Sequence, residues 1–308
     1  MVTIRPPHAQ ALPAEQWRAR AAAHAERADA LTAGHRARAS RGEKHPVEDF
    51  LFTYYSYSPA VLRRWHPGPG VELLEAADDP RASWRWYTGG STPGSLIVDR
   101  AAMEAEKAPL LATIERILRS TAARPGRFGC FGLHEWAMVY RQGEHRHDVP
   151  LRLGQAATDA VVEAGELRCT HIDAFRFFTP DAVPRNRFAP TRETQPELEQ
   201  PGCLHAGMDV YKWAMKLGPL VPGELLLDAF ELARDIRLLD MQASPYDMRP
   251  WGAEPVRIET AEGKAEYVRR QRAFAERSNA LRARVLGAWL GEDADVARVS
   301  ALPTGATA

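Results

Sequence analysis

Apolar residues recur at helical spacing in several long segments of the chain. Residues 13–41 are rich in Ala, Arg and Glu, which are strong helix formers, and contain no internal proline. We expect a long exposed helix there, with Gly34 as the candidate point for a break. Residues 100–120 place large aliphatic side chains three and four positions apart, which predicts a second long helix.

Three further helices are predicted in the last third of the chain. They cover residues 203–217, 224–243 and 262–289, and the first two are bounded by Pro-Gly or Gly-Pro pairs that interrupt regular structure. The third carries an apolar stripe that includes Tyr267, Phe274 and Leu281, which is typical of core or helix–helix packing.

Shorter elements are expected between these helices. Residues 84–87 and 95–98 are strand candidates on either side of Gly89-Gly90. Residues 158–165 favour a short helix closed by Gly165, and residues 134–142 are compatible with helix or strand. Residues 179–202 contain five prolines, which indicates a long functional loop or lid rather than a domain linker.

The pattern therefore predicts a mainly α fold with a few short β-strands. We expect a single large helical domain with long loops over residues 13–299. Residues 1–12 and 300–308 are predicted to be disordered tails.

Composition narrows the class of protein. Hydrophobic residues make up 45% of the chain and charged residues 26%, which is ordinary for a globular protein. No run approaches the roughly 20 apolar residues that a membrane span needs. The three cysteines are widely separated and the N-terminal segment has no stretch of signal-peptide type. We therefore expect a reduced, cytoplasmic protein that does not enter membranes.

The net charge is zero, but basic residues concentrate near both ends. Residues 1–44 hold eight Lys or Arg against four Asp or Glu, and residues 255–290 are also net positive. Such helix faces are usually only solvated. They are also compatible with contacts to DNA phosphates.

Two histidine motifs in the middle of the chain are candidates for metal or acid–base chemistry. His134-Glu135 lacks the second histidine of zinc proteases, because position 138 is Met, although Glu135 remains a catalytic candidate. His145 and His147 have a spacing that suits metal coordination, but their polar segment favours an exposed loop. Asp148 adjoins apolar residues and is the better catalytic candidate there.

The segment from Cys169 to Phe178 is the most informative. His171-x-Asp173 on a strand is the spacing that begins a two-His, one-carboxylate iron site, and His205 is the candidate for the distal histidine. Without a metal, His171 and Asp173 would form an acid–base pair, with Arg176 holding an anion. The structural alternative is a semi-buried strand with ordinary hydrogen bonds.

Two predicted helices carry further candidates. His205 and Asp209 stand one turn apart on one helix face, and Gly207 between them indicates close packing or ligand approach. Asp228, Glu231 and Asp235 favour a solvated ion-pair face. The helix end at 240–247, with two carboxylates and a tyrosine, is a more frequent place for functional residues.

Six segments are distinctive: HPVEDFLFTYYSYSPAVLRRWHPGPG, FGLHEWAMVYR, RHDVPLRLG, CTHIDAFRFFTP, EQPGCLHAGMDVYKWAMKL and LLDMQASPYD. In these the chain, over roughly residues 45–285, resembles an actinobacterial family of proteins commonly labelled 3-methyladenine DNA glycosylase. The resemblance implies a DNA repair hydrolase without a cofactor that removes alkylated adenine. Such an enzyme extrudes the base, stacks it between aromatic side chains and orients a water with a carboxylate.

Under this hypothesis specific residues carry each role. The catalytic candidates are Asp173, Glu135, His171 and Asp148. The substrate-binding candidates are Tyr54, Tyr55, Trp136, Arg176, Tyr211 and Trp213. Arg63, Arg64 and the basic terminal helices would bind DNA phosphates.

Two alternatives of other classes stay open. One is a metal-dependent enzyme that acts on a small molecule, with iron or zinc held by His134, His171, His205 and Asp209. The other is a non-enzymatic helical protein whose basic ends bind a partner.

Overall fold

Helices dominate the structure, a computed structural model that describes residues 10–143 and 149–291. The mainly α prediction is confirmed, because eleven helices accompany one small four-stranded sheet in the described part of the chain. Among those residues, no helix combines the length and the apolar character needed to cross a membrane. Residues 10–12 of the predicted N-terminal tail form a strand of the sheet, whereas the rest of the predicted tails and the domain limits at 13 and 299 stay predictions. Asp148, with His145 and His147, lies outside the described residues.

Helices α1 (Ala14–Ser40) and α4 (Arg100–Ala122) match the two long helices predicted first. Helix α1 passes through Gly34 without a break, so that glycine does not end it. Helix α4 begins at the Asp99 carboxylate, which accepts a hydrogen bond from the Ala102 amide and thereby satisfies one free N–H of the first turn.

Helices α9 (Leu204–Leu217), α10 (Gly223–Gln242) and α11 (Ala261–Leu290) form the centre of the core. Helix α9 is buried along almost its whole length between the other two. A Cβ atom at Gly207 would lie 2.8 Å from Ile236 Cδ1 and 2.9 Å from Ser278 Oγ. Gly207 therefore allows α10 and α11 to approach α9 closely, which is the packing explanation predicted for it.

The sheet lies beside α1 and has its own apolar core, which includes Trp17, Trp65 and Leu73. Its strands are β1 (Gln10–Leu12), β2 (Val71–Leu73), β3 (Tyr87–Gly89) and β4 (Leu96–Val98), in the order β1-β2-β4-β3. The β1–β2 pair is parallel and the other two pairs are antiparallel. Strand β4 confirms the strand predicted at 95–98 to within one residue. The strand predicted at 84–87 overlaps β3 only at Tyr87, where β3 begins.

Six short helices complete the described fold. They are α2 (Phe50–Tyr54), α3 (Pro59–Leu62), α5 (Leu133–Ala137), α6 (Gly154–Ala164), α7 (Ile172–Phe175) and α8 (Gln195–Leu198). The strand expected around His171 and Asp173 is wrong. The amides of Ala174 and Phe175 both bond to the His171 carbonyl, so local hydrogen bonds close a turn in place of a strand ladder.

Candidate functional site

A band of buried ionisable side chains crosses the core between α5, α7, α9 and α10. All of its members are less than a tenth exposed. They are His134, Glu135, His171, Asp173, Glu199, His205, Asp209, Lys212, Arg237 and Asp240. Burying charges is costly unless they are paired, so the contacts among these groups decide what the band can do.

The first cluster joins α5 to α10. His134 Nε2 lies 2.9 Å from Asp240 Oδ1, and Arg237 Nη1 donates to Asp240 Oδ2 at 2.7 Å. Arg237 also reaches Glu135 Oε1 at 3.2 Å. Burial alone would raise the pKa of Asp240, but His134 and Arg237 outweigh it and hold that pKa far below its usual range. Burial and the neighbouring Asp240 charge raise the pKa of Glu135.

His134 also contacts the thiol of Cys130. The Sγ atom of Cys130 lies 3.6 Å from His134 Nδ1, the ring nitrogen that faces away from Asp240. Burial would lower the pKa of His134, but the charge of Asp240 and its hydrogen bond raise that pKa well above the ordinary value of 6.5. The imidazole is therefore in a position to carry a proton next to the thiol.

A tight turn brings Cys130 and His134 together. Phe131 and Gly132 both have positive φ, at 50° and 75°, and α5 begins immediately afterwards. A Cβ at Gly132 would lie 3.3 Å from both Ala243 Cβ and Tyr267 Cε2. A larger residue would therefore crowd these neighbours and would also have to adopt an unfavourable positive φ. Positive φ in a bulky residue such as Phe131 costs on the order of 1–3 kcal/mol and is concentrated at functional sites.

The second cluster joins α7 to α9. His171 Nε2 lies 3.0 Å from Glu199 Oε1 and 3.3 Å from Asp209 Oδ2. The Lys212 ammonium contacts Asp209 and also reaches Asp173 Oδ2 at 3.3 Å. These carboxylates therefore already have an internal cation.

The second cluster approaches solvent through Asp173. Arg192 pairs with the Asp173 carboxylate, and about half of the Arg192 side chain is exposed. Arg176 Nη2 donates to the Tyr54 hydroxyl at 3.4 Å, and the Tyr55 hydroxyl donates to Asp209 Oδ1 at 2.9 Å. Arg176, Tyr54 and Tyr55 therefore lie around the second cluster.

Two of the three predicted metal-site histidines, His134 and His171, both neighbour the third, His205. The ring centroids of His134 and His205 are 4.6 Å apart, and those of His171 and His205 are 5.4 Å apart. The ligand atoms separate into two groups, however. His134 and His205 group with Glu135 and Asp240, while His171 groups with Asp173 and Asp209. The predicted set of four thus spans two neighbouring clusters.

A cavity of about 420 Å³ opens beside the first cluster. All three cysteines of the chain line it, together with His134 and His205. The remaining lining residues are Arg127, Phe128, Gly129, Arg168, Thr170, Arg187, Phe188, Gln200, Leu204, Tyr267 and Gln271. Burial raises the pKa of the Cys169 and Cys203 thiols, so both remain protonated at neutral pH. Cys130 is the cysteine that contacts an imidazole through its side chain.

Other predicted site residues lie away from the lining of this cavity. Trp136 is fully buried, and its indole N–H donates to the Ala243 carbonyl at 2.8 Å. Tyr211 is fully buried in the aromatic core, and the ring of Trp213 lies under the Lys212 ammonium at 4.2 Å. Glu135, His171 and Asp173 belong to the buried clusters, and Arg63 and Arg64 lie outside the cavity lining.

Sequence reasoning missed the cysteines. Cys130 precedes His134 by four residues, and Cys169 and Cys203 precede His171 and His205 by two. That repeated association of a cysteine with a following histidine is the signal in the sequence from which the cysteines of this cavity could have been predicted.

Comparisons with protein-family models, curated proteins and solved structures found no match to this chain.

Proposed function

We propose that this protein is an enzyme in which Cys130 is the nucleophile, His134 the proton acceptor and donor, and Asp240 the carboxylate that orients His134. One observation supports this proposal above others: the continuous contact from Cys130 Sγ through both ring nitrogens of His134 to Asp240, at the wall of a cavity. A nucleophile, a base and a group that orients the base form the arrangement that activates cysteine on unrelated folds.

The charge of Asp240 supports the role assigned to His134. Asp240 favours the protonated form of His134, and a protonated imidazole stabilises a neighbouring thiolate. The thiolate attacks an electrophilic carbon, such as the carbonyl of an acyl group. A bond from sulfur to carbon forms as the bond to the leaving group breaks, and His134 gives its Nδ1 proton to that group.

Hydrolysis of the intermediate restores the site. Neutral His134 takes a proton from water, and the resulting hydroxide attacks the thioester. The sulfur–carbon bond breaks, the acid is released, and the thiolate and protonated imidazole are regenerated. The net reaction is hydrolysis of an acyl compound, or acyl transfer where another nucleophile replaces water.

Alkylation with iodoacetamide tests the nucleophile directly, because the thiolate is the reacting form. We expect Cys130 in the folded protein to react about tenfold or more faster than Cys169 and Cys203, followed site by site by mass spectrometry. His134→Gln should slow the Cys130 reaction by about tenfold. Equal rates at the three cysteines, or a Cys130 rate that His134→Gln leaves unchanged, would overturn the proposal.

Turnover of an activated ester gives a second measurement. With p-nitrophenyl acetate, the wild type should show a burst of nitrophenol and carry one acetyl group on Cys130. Cys130→Ser should abolish the burst, whereas Cys169→Ala should retain it. A burst that survives Cys130→Ser would place the nucleophile elsewhere.

Excision of alkylated adenine from DNA is the second proposal. The cavity supports it in part, because arginines and the aromatic rings of Phe128 and Phe188 line it, and extruded bases are bound by stacking. The candidate carboxylates Asp173 and Glu135 are already held in ion pairs. The structure therefore supports the binding of a base more than it supports a carboxylate that orients water. Release of free base from methylated duplex DNA tests it. No release, or undiminished release by Asp173→Asn, would contradict it.

Metal-dependent chemistry on a small molecule is the third proposal. It is supported by the first cluster, in which His134, Glu135, His205 and Asp240 offer ligand atoms within 4.8 Å of one another. Iron or zinc suits such nitrogen and oxygen donors. Stoichiometric metal in the purified protein that is lost in His205→Ala would support this proposal, and protein that remains metal-free after incubation with zinc and iron would contradict it.

A further inference from the structure

Three arginines border the cavity that holds Cys130. Arg127, Arg168 and Arg187 are all exposed. Arg168 is bound to the Glu166 carboxylate, whereas neither Arg127 nor Arg187 has a carboxylate partner among residues 10–143 and 149–291. Both of these free guanidinium groups approach the ring of Phe188, at 5.1 Å and 6.0 Å from its centroid.

Gln200 fixes the backbone beside these arginines. Its Oε1 atom accepts hydrogen bonds from the amides of Arg127 and Gly202, both at 2.7 Å. Gln200 is 5% exposed, so the contact is made inside the protein. The loop that carries Arg127 is therefore held against the cavity wall by a buried side chain.

Gln271 provides an independent sign of a ligand. Its Nε2 donates to the Gly202 carbonyl at 2.5 Å, which fixes the orientation of the amide, because the reversed amide would place two oxygens together. Its Oε1 atom is buried, and no hydrogen-bond partner for it exists among the described residues. Gln271 is 1% exposed and lines the cavity. A buried acceptor in this state is unfavourable until a donor reaches it.

We propose that the cavity binds a small anionic molecule that also carries a hydrogen-bond donor. Its carboxylate or phosphate pairs with Arg127 and Arg187, its N–H or O–H group donates to Gln271 Oε1, and its reactive carbon faces Cys130. Guanidinium groups match the geometry of carboxylate and phosphate oxygens. The cavity volume of about 420 Å³ lies in the range of small-molecule sites. This inference names the substrate class and rests on the proposed role of Cys130.

Two alkylating reagents that differ in charge test the arginines. Iodoacetate is an anion and iodoacetamide is neutral, so the ratio of their rates at Cys130 reports the electrostatic field of the cavity. We expect Arg127→Gln and Arg187→Gln each to lower this ratio by roughly threefold to tenfold. Arg85→Gln is the matched control, because Arg85 is exposed and does not line the cavity.

The outcomes separate the two proposals. If Cys130 of the wild type does not react with iodoacetamide, its role as the nucleophile is refuted. A reactive Cys130 whose rate ratio is unchanged by Arg127→Gln and Arg187→Gln would refute the anion site alone. The ratio should also fall as salt concentration rises, because exposed charges are screened.

Competing ligands test the donor group and the source of the anion. Lactate and propionate carry the same charge, but only lactate has a hydroxyl. Lactate should protect Cys130 from iodoacetamide at lower concentrations than propionate does, and Gln271→Leu should remove that difference. Equal protection by the two acids in the wild type would refute the role of Gln271. Protection by a short DNA duplex, with none by lactate or inorganic phosphate, would refute the small-molecule assignment in favour of nucleic acid.

Discussion

His134 and His205 lie edge to face with ring centroids 4.6 Å apart, and their pKa values are shifted in opposite directions. Burial lowers the pKa of both rings. For His134 the contact with Asp240 outweighs burial and raises the pKa well above 6.5. For His205 the positive charge of His134 adds to burial and lowers the pKa to about 3. One ring is therefore charged and the other neutral, and Asp240 decides which.

Because of His171, the free energy of unfolding should fall as the pH rises above neutral. Its pKa is raised to about 9, since Glu199 and Asp209 outweigh the effect of burial. A raised folded-state pKa stabilises the protein fully below about pH 6.5, and this contribution is lost as the pH rises through about 9. Between these pH values the wild type should lose on the order of 3 kcal/mol of unfolding free energy that His171→Gln does not lose. Urea unfolding at a series of pH values measures it, and parallel curves for the two proteins would contradict it.

His205 should have the opposite effect on the acid side. Its folded-state pKa of about 3 is lower than the ordinary value, so its contribution is present above about pH 6.5 and is lost as the pH falls toward 3. His205→Gln should therefore be less sensitive to acid than the wild type in the same urea titrations. An acid-side slope that is unchanged in His205→Gln would show that folding does not lower the pKa of His205.

Asp240→Asn should destabilise the protein by about 3–5 kcal/mol. The substitution removes the negative charge that faces both His134 and Arg237 inside the core, and breaking a buried pair leaves an uncompensated charge.

Asp228→Asn is the matched control on the same helix. Asp228 pairs with Arg27 and Arg284 at the partly exposed surface, where an ion pair contributes about 0–1 kcal/mol. Guanidinium denaturation of both variants gives the comparison, and equal losses would show that the Asp240 pairs are no more important than surface pairs.

Gly207→Ala and Gly34→Ala should change stability in opposite directions, although both glycines lie inside helices. At Gly207 the added methyl meets Ile236 Cδ1 and Ser278 Oγ at under 3 Å, which is overpacking that typically costs about 1–3 kcal/mol. At Gly34 it meets only the flexible ends of Arg38 and Glu48, so the better helix propensity of alanine should stabilise α1 by about 0.5–1 kcal/mol. Thermal unfolding distinguishes the two, and stabilisation by Gly207→Ala would disprove the close-packing explanation.

Lys212→Met should make the stability of the protein depend on a cation added to the second cluster. Without the ammonium, Asp209 keeps only His171 as a cationic partner and Asp173 keeps only its arginines, and the variant should be destabilised by about 3–5 kcal/mol. Added zinc should restore part of that stability in Lys212→Met while leaving the wild type almost unchanged, because His171, Asp173 and Asp209 offer ligand atoms within 4.8 Å. Thermal melting with and without zinc measures it. Equal stabilisation of both proteins would indicate that the wild-type cluster already accepts a metal.

The long helices could be predicted from the sequence because their signals are local. Helices α1 and α4 follow from runs of helix formers and from apolar residues at a spacing of three and four, and proline-glycine pairs set off α9 and α10. The sheet was predicted only in part, since its strands are three residues long and are stabilised by partners distant in sequence. His171 and Asp173 have the spacing of a site on a strand. The segment forms a helical turn instead, because its amides bond to the nearby His171 carbonyl and need no partner strand.

The sequence by itself determined that the chain is mainly helical and that His134, His171 and His205 are candidates for a common site. Only the tertiary structure decided how these residues are used. Helices α5, α9 and α10 bring Asp240 to one nitrogen of His134, and a left-handed turn brings Cys130 to the other. The contact between His134 and Asp240 joins residues 106 positions apart, and no local pattern specifies it, because it depends on how helices and loops pack around the buried charges.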